Sequence, residues 1–288
     1  MTAKSISFKT LSLGLKVSIA IALVMGSIFL WAFLQIPSDK DIKGCLTTQL
    51  YKVHLCPGSG TYTRLPAISP YLQKSVILSE DGSFWSHNGF DLMEMQNSLK
   101  SNLEKGRFAR GGSTITQQLA KNLFLSNEKT LMRKLIEAII TVRIEKVLSK
   151  KEILERYLNV VQFGKDIYGI KQAAQFYFKK SPADLNLVES AFFAFLLPNP
   201  EIYSKSFYKK KLTPFAQKRI SEIVDRLYRY HFVSENEYIN SKAELEYFLT
   251  GQQPPVMDPS LENIDEATVE TDSDWSDWTP AEPAEGEN

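Results

Sequence analysis

Apolar and polar positions divide this chain into three stretches. Residues 17–34, VSIAIALVMGSIFLWAFL, carry no charge, and as a helix rising about 1.5 Å per residue they span roughly 27 Å, near the ~30 Å hydrocarbon core of a bilayer. A transmembrane anchor is therefore expected over 17–36. From Ser69 onward the pattern predicts helix after helix, with identifiable starts. Ser69-Pro70 reads as an N-cap with proline at the first helical position, and Asp91 with Glu94 as a capping box. Ser181-Pro182-Ala183-Asp184 combines a cap, a proline and a first-turn acid. Ser149 and Glu152 form a further box, with Leu148 and Ile153 placed as a hydrophobic staple, and so divide residues 128–159 into two helices. An amphipathic helix is expected over 214–230. Only residues 44–66 combine β-branched residues, alternation and turn residues, so a short hairpin is expected there. After residue 250 large apolar side chains become rare among Pro, Glu, Asp, Ser and Thr, which predicts a disordered tail over 251–288. The expected fold class is mainly α, with a folded domain over 37–250 and no internal repeat.

Charge sharpens this picture. The formal net charge is +1, but residues 252–288 hold eleven carboxylates and no Lys or Arg, which leaves residues 1–251 at +12. Residues 100–180 alone contain seventeen Lys and Arg against seven Asp and Glu. A basic middle implies an anionic ligand. Lys4, Lys9 and Lys16 precede the apolar run, whereas Asp39, Lys40, Asp41 and Lys43 nearly cancel after it, so the positive-inside rule puts residues 1–16 in the cytoplasm and the rest outside. That location argues against nucleic acid as the ligand and leaves phosphates on a lipid or an activated sugar. A cleaved signal peptide is the alternative, but the run is long for one and no small-x-small site follows. Three His and two Cys, without HExxH or paired CxxC, do not suit a zinc site. Cys45 and Cys56 are either a disulfide in an oxidising compartment or two free thiols.

Two carboxylates stand out. Glu80, in Glu80-Asp81, comes where a helix should end and is flanked by Phe84, Trp85 and Phe90. The helix dipole disfavours a carboxylate there. It is either a solvated turn residue or a group in a partly apolar cleft whose raised pKa suits general acid or base work. Glu137 shares a helix face with Ile140 and Ile144, and has Arg133 one turn before it. It is either half of a buried structural pair or a site residue. Between them, Arg110-Gly111-Gly112-Ser113 leads into a run in which Thr114, Gln117, Gln118 and Lys121 would share one polar helix face. That face either meets phosphate oxygens or is merely solvated.

Four motifs occur in order: Glu80-Asp81-x-x-Phe84-x-x-His87-x-Gly89-x-Asp91; residues 111–118 (GGSTITQQ) with Lys121-Asn122; Arg133-Lys134-x-x-Glu137; and residues 151–155 (KEILE) with Tyr157-Leu158-Asn159. Together with Tyr168-Gly169-Ile170 and residues 196–200 (LLPNP), they closely resemble the peptidoglycan glycosyltransferases, across about 69–204. These are the free-standing transglycosylases and the polymerising module of bifunctional penicillin-binding proteins. The resemblance implies a lysozyme-like helical glycosyltransferase domain at the cell inner membrane, single-pass and periplasmic. It implies polymerisation of lipid II into a growing β-1,4 glycan chain with release of undecaprenyl pyrophosphate. By position Glu80 becomes the general base and Glu137 the assisting donor-site residue. Asp81, Arg110, Ser113, Thr114, Gln117, Gln118, Lys121, Asn122, Arg133 and Lys134 become substrate-binding. No cofactor is required, although a divalent cation, Mg or Mn, is compatible with the pyrophosphate; no protein metal site is expected. The family generally has Arg-Ala where this chain has Asn97-Ser98, which implies altered donor phosphate recognition, with Lys100 as a nearby cation.

Two other readings compete. A weakly active or non-catalytic scaffold of the wall-building complex is favoured by Asn97 and by the tail sequence Ser273-Asp274-Trp275-Ser276-Asp277-Trp278, which suits docking to cell-wall synthesis proteins. A lysozyme-like glycan-cleaving enzyme would shorten chains rather than lengthen them. A transpeptidase is not supported: Ser126-x-x-Lys129 matches SxxK, but no KTG follows.

Overall fold

A computed structural model describes residues 13–34, 36–104, 106 and 111–250; the tail expected over 251–288 lies outside the described residues. Helix α1 (Leu13–Leu34) covers the apolar run. Its side chains are described as far as Ser27, and among the described residues no helix is long and apolar enough to cross a membrane. The short helix α2 (Asp39–Lys43) starts at a Ser38–Asp41 capping box. Strands β1 (Leu46–Thr47) and β2 (His54–Leu55) pair antiparallel, and Cys45 is joined to Cys56 across their outer ends. The expected hairpin is present, much shorter than its window.

Next come α3 (Pro70–Glu80), α4 (Leu92–Glu104), α5 (Ile115–Phe124), α6 (Leu131–Val147) and α7 (Lys150–Val160). Ser149 accepts from the Glu152 N–H and separates α6 from α7 as expected. Ser69 precedes Pro70 but does not cap through its side chain; its hydroxyl donates to the Leu185 carbonyl at 2.7 Å and ties α3 to a distant loop. Strands β3 (Gln162–Gly164) and β4 (Ile167–Tyr168) form a second, irregular hairpin. Three residues and two, mostly buried, are too short to display alternation.

Helix α8 (Ile170–Phe178) is followed by a 3-10 turn at Pro182–Asp184 and then α9 (Leu187–Leu196). The helix start expected at Ser181 is thus only a turn; the reciprocal Asn186–Glu189 box supplies the cap of α9. The single turns α10 (Pro200–Tyr203) and α11 (Lys205–Tyr208) precede α12 (Pro214–Arg229) and α13 (Glu235–Tyr247). Sequence reasoning missed α13, although Ser234 and Glu237 form a capping box at its start.

Helix α9 is buried along its whole length, packed between α3 and α12, with α13 behind. A second group, α5, α6 and α7, packs on itself. The C-terminus of α3 meets that group through Asp81, and this joint positions the site. Gly89 lies in the connecting loop at φ 92°, where an added Cβ would come 2.8 Å from Thr141 Cγ2 on α6. Gly89→Ala is therefore expected to lower the thermal midpoint, from backbone strain and from displacement of Thr141; a calorimetric scan checks it.

Candidate active site

Glu80 is the last residue of α3, half-buried at the joint. Its Oε2 accepts from Gln118 Nε2 on α5 at 2.8 Å, and Gln118 Oε1 in turn accepts from the Tyr157 hydroxyl on α7 at 2.9 Å. Tyr157 is fully buried, so this chain of bonds fixes the amide orientation and aims its N–H at the carboxylate. Burial pushes the pKa of Glu80 above its ordinary value of 4.5; the Gln118 bond and the charge of Lys121 pull against that shift, while Asp81 adds to it. Of the two readings open from sequence, a freely solvated turn carboxylate does not describe Glu80, which is half-buried and bonded to Gln118 on α5.

Glu137 is 2 % exposed, facing inward from α6. Arg133 donates to one of its oxygens and Lys134 to the other. The Thr141 hydroxyl donates to its backbone carbonyl at 2.8 Å. Lys121 links the two carboxylates electrostatically: burial lowers its pKa below the lysine norm, Glu137 and Glu80 raise it, and Arg133 and Lys134 lower it. Four charged side chains from α5 and α6 thus stand beside a desolvated carboxylate from α3. Such an arrangement can take a proton on one side and neutralise a leaving anion on the other.

Several residues expected to touch ligand are engaged by bonds within the fold. Asp81, 6 % exposed, accepts from the Ile115 N–H at 2.9 Å through Oδ2 and pairs with His87 Nε2 at 2.8 Å through Oδ1. It locks the α3 terminus to the start of α5. Thr114 and Gln117 form a reciprocal capping box, and the Thr114 hydroxyl donates to the Gly89 carbonyl at 2.7 Å. The shared polar face expected for Thr114, Gln117, Gln118 and Lys121 therefore does not exist: Thr114 is the cap, outside the helix, and both it and Gln117 are buried. Asn122 is buried as well. Ser113 is exposed on the loop before α5, Gln118 and Lys121 face the site, and Arg110 lies outside the described residues.

Asn97 is exposed on α4, whereas Ser98 is buried with its hydroxyl 3.2 Å from the Gly111 carbonyl. Among the described residues no group of three or more His, Cys, Asp or Glu is arranged to hold a metal ion. Sequence reasoning missed Tyr157 as a site-supporting residue. It also missed Glu145, which accepts from Thr116 at 2.5 Å and Lys150 at 2.7 Å and so braces α5 against α6 and α7.

Residues 48–228 match the family model described as Transglycosylase. The chain is 44 % identical over 160 residues to a biosynthetic peptidoglycan transglycosylase of Nitrosospira multiformis, covering 56 % of this chain and 68 % of that protein. It is 49 % identical over 156 residues to the protein of the same description from Alcanivorax borkumensis, covering 54 % of this chain and 62 % of the relative. Against that of Aromatoleum aromaticum it is 52 % identical over 140 residues, 49 % of this chain and 61 % of the relative.

Proposed function

Since the chain belongs to the transglycosylase family, and is a glycosyltransferase enzyme, we propose that it polymerises lipid II into linear β-1,4 glycan with release of undecaprenyl pyrophosphate. The observation that carries this reading is the desolvated Glu80, held by Gln118 beside the Lys121, Arg133, Lys134 and Glu137 cluster. The acceptor 4-hydroxyl attacks the anomeric carbon of the growing chain as Glu80 takes its proton. The bond from that carbon to the phosphate oxygen breaks with inversion, and the pyrophosphate leaves with the electron pair. Lys121, Arg133 and Lys134 stabilise the charge that collects on it. Glu137 keeps the last two in place. Both oxygens of Glu137 are engaged by these cations, so a divalent cation would sit on the pyrophosphate rather than on Glu137.

Membrane attachment belongs to the same proposal. It is supported by the uncharged run over 17–34, by the Cys45–Cys56 bond, which suits an oxidising periplasm, and by exposed apolar side chains. These are Leu92, Met93, Leu99 and Leu103 on α4, and Leu131, Leu135, Ile139 and Val142 on α6. Exposed apolar side chains of this kind suit a membrane or partner surface, and α6 also carries Arg133, Lys134 and Glu137.

The test is incubation of purified protein with lipid II. Lengthening glycan supports the proposal; cleavage of preformed glycan without polymerisation would support the lytic alternative, and no reaction the scaffold. A finer prediction concerns Gln118. Its N–H stabilises the ionised form of Glu80, so Gln118→Ala is expected to shift the acidic limb of kcat/KM to higher pH. Tyr157→Phe, which keeps that donor, should leave the limb in place. Parallel pH–rate profiles check both.

A further inference from the structure

A cleft of about 1280 Å³ opens between the β1–β2 hairpin, the loop over 60–64, β4 and α8. Neither Glu80 nor Glu137 lines it. It exceeds the roughly 300–1,000 Å³ usual for small-molecule pockets and is sized for a chain segment. Its lining is basic, with Asp166 and Glu201 felt at Tyr168 and Tyr51 from outside it. Lys52, His54, Arg64, Lys171, Lys179 and Lys180 line it, and no Asp or Glu does. Arg64 and Lys180 are paired with Glu155 and Glu189 behind the wall. Lys52, Lys171 and Lys179 instead bond neutral oxygens, on Gln49, Gly60 and Phe176. Aromatic surface completes the lining: Tyr51 lies against Tyr168 with ring centroids 4.8 Å apart, and Tyr62 stands under the Arg64 guanidinium. Such a site suits a segment alternating carboxylates with aromatic rings.

The chain contains one, and the fold delivers it to the cleft. Phe248, just after α13, packs on Phe178 and Phe192 at 5.9 and 5.5 Å between centroids. Phe178 immediately precedes Lys179 and Lys180 of the lining. The last described turn is therefore anchored beside the C-terminus of α8, whose following residues line the cleft. Beyond Thr250 come eleven carboxylates, no Lys or Arg, and the sequence Ser273-Asp274-Trp275-Ser276-Asp277-Trp278. A coil, as the composition of the intervening residues predicts, would have a root-mean-square reach of roughly 5–6 Å × √n, about 27 Å for some twenty-three residues. Its effective concentration at a nearby cleft is of millimolar order. We infer that residues 273–278 dock in cis into this basic, tyrosine-lined cleft, Asp274 and Asp277 meeting Lys52, Lys171 and Lys179, and the tryptophans meeting the tyrosines. This inference is independent of the catalytic proposal.

The experiment is zero-length carbodiimide cross-linking of the full chain in detergent, with unlabelled and 15N-labelled protein mixed. Docking in cis predicts that Asp274 and Asp277 link to Lys52, Lys171 or Lys179 within one chain. The yield should be at least roughly five-fold that to Lys209, Lys210 and Lys211 and should collapse in 1 M salt, where the screening length is about 3 Å. A second readout does not depend on the lysines as reactive groups: 19F spectra of 5-fluorotryptophan protein, with Trp275 and Trp278 assigned by Phe substitution. These resonances should be broad and shifted in the wild type, and sharp in Lys52→Gln/Lys171→Gln/Lys179→Gln. Links spread evenly over surface lysines, links only between chains, or tail resonances already sharp in the wild type would each overturn the inference. A cleft that binds soluble glycan while the tail resonances stay sharp would do the same.

Discussion

Replacing Glu80 by Gln is expected to lower kcat/KM for glycan polymerisation by roughly 10²–10⁴-fold, the usual worth of a positioned base, while making the fold more stable at neutral pH. The second effect follows from linkage. Burial raises the pKa of Glu80 in the folded state above 4.5, so the folded protein holds this proton more tightly than the unfolded chain does. The resulting stability is fully present below 4.5 and is lost as pH rises through the raised folded value, because the ionised carboxylate is left without enough compensation. Gln cannot ionise and still accepts the Gln118 N–H. The gain in thermal midpoint should therefore grow with pH and then level off. Scans of wild type and Glu80→Gln from pH 4 to 8 check it, alongside lipid II turnover. An equal or lower midpoint at neutral pH would mean that the site is not desolvated.

Glu137→Gln should have the opposite stability effect and also reduce turnover. Glu137 is more completely buried than Glu80, but it is paired twice, with Arg133 and Lys134 at 17 % and 46 % side-chain exposure. Removing one member of a buried ion pair costs about 3–5 kcal/mol. Because both cations reach some water, the loss should fall at or below the lower end of that range. Lys121 also loses the partner that most supports its charge, so donor-site neutralisation weakens and polymerisation drops with it. Denaturant unfolding and turnover of Glu137→Gln check the two parts. The pair of glutamates is thus expected to separate cleanly: both substitutions impair the reaction, one stabilises and the other destabilises.

Local signals in the sequence carried much of the fold. The Ser149–Glu152 box divided α6 from α7, and the pattern over 214–230 became α12. What local reading could not supply was tertiary. Nothing adjacent to Glu80 in sequence indicates that Gln118, on another helix, bonds its carboxylate and lowers its proton affinity, or that Tyr157, on a third, bonds that same amide. The misplacement of Thr114 and Gln117 is different in kind. Their S/T-x-x-Q pattern is a capping box, and reading it as one would have removed both from the polar face. Asp81 resembles a site residue because it adjoins Glu80; what the sequence did not show is that its carboxylate bonds the Ile115 N–H at the start of α5 and His87. For Glu137 the alternatives of structural pair and site residue turn out not to exclude each other, since the pair itself holds two cations beside Lys121.

A desolvated Glu80 acting as the base is tested most directly by the pH dependence of kcat/KM for lipid II polymerisation. The wild type should show an acidic limb above 4.5, and Glu80→Gln only a residual rate without that limb. A limb at the ordinary carboxylate position, or a Glu80→Gln protein that polymerises at the wild-type rate, would contradict it.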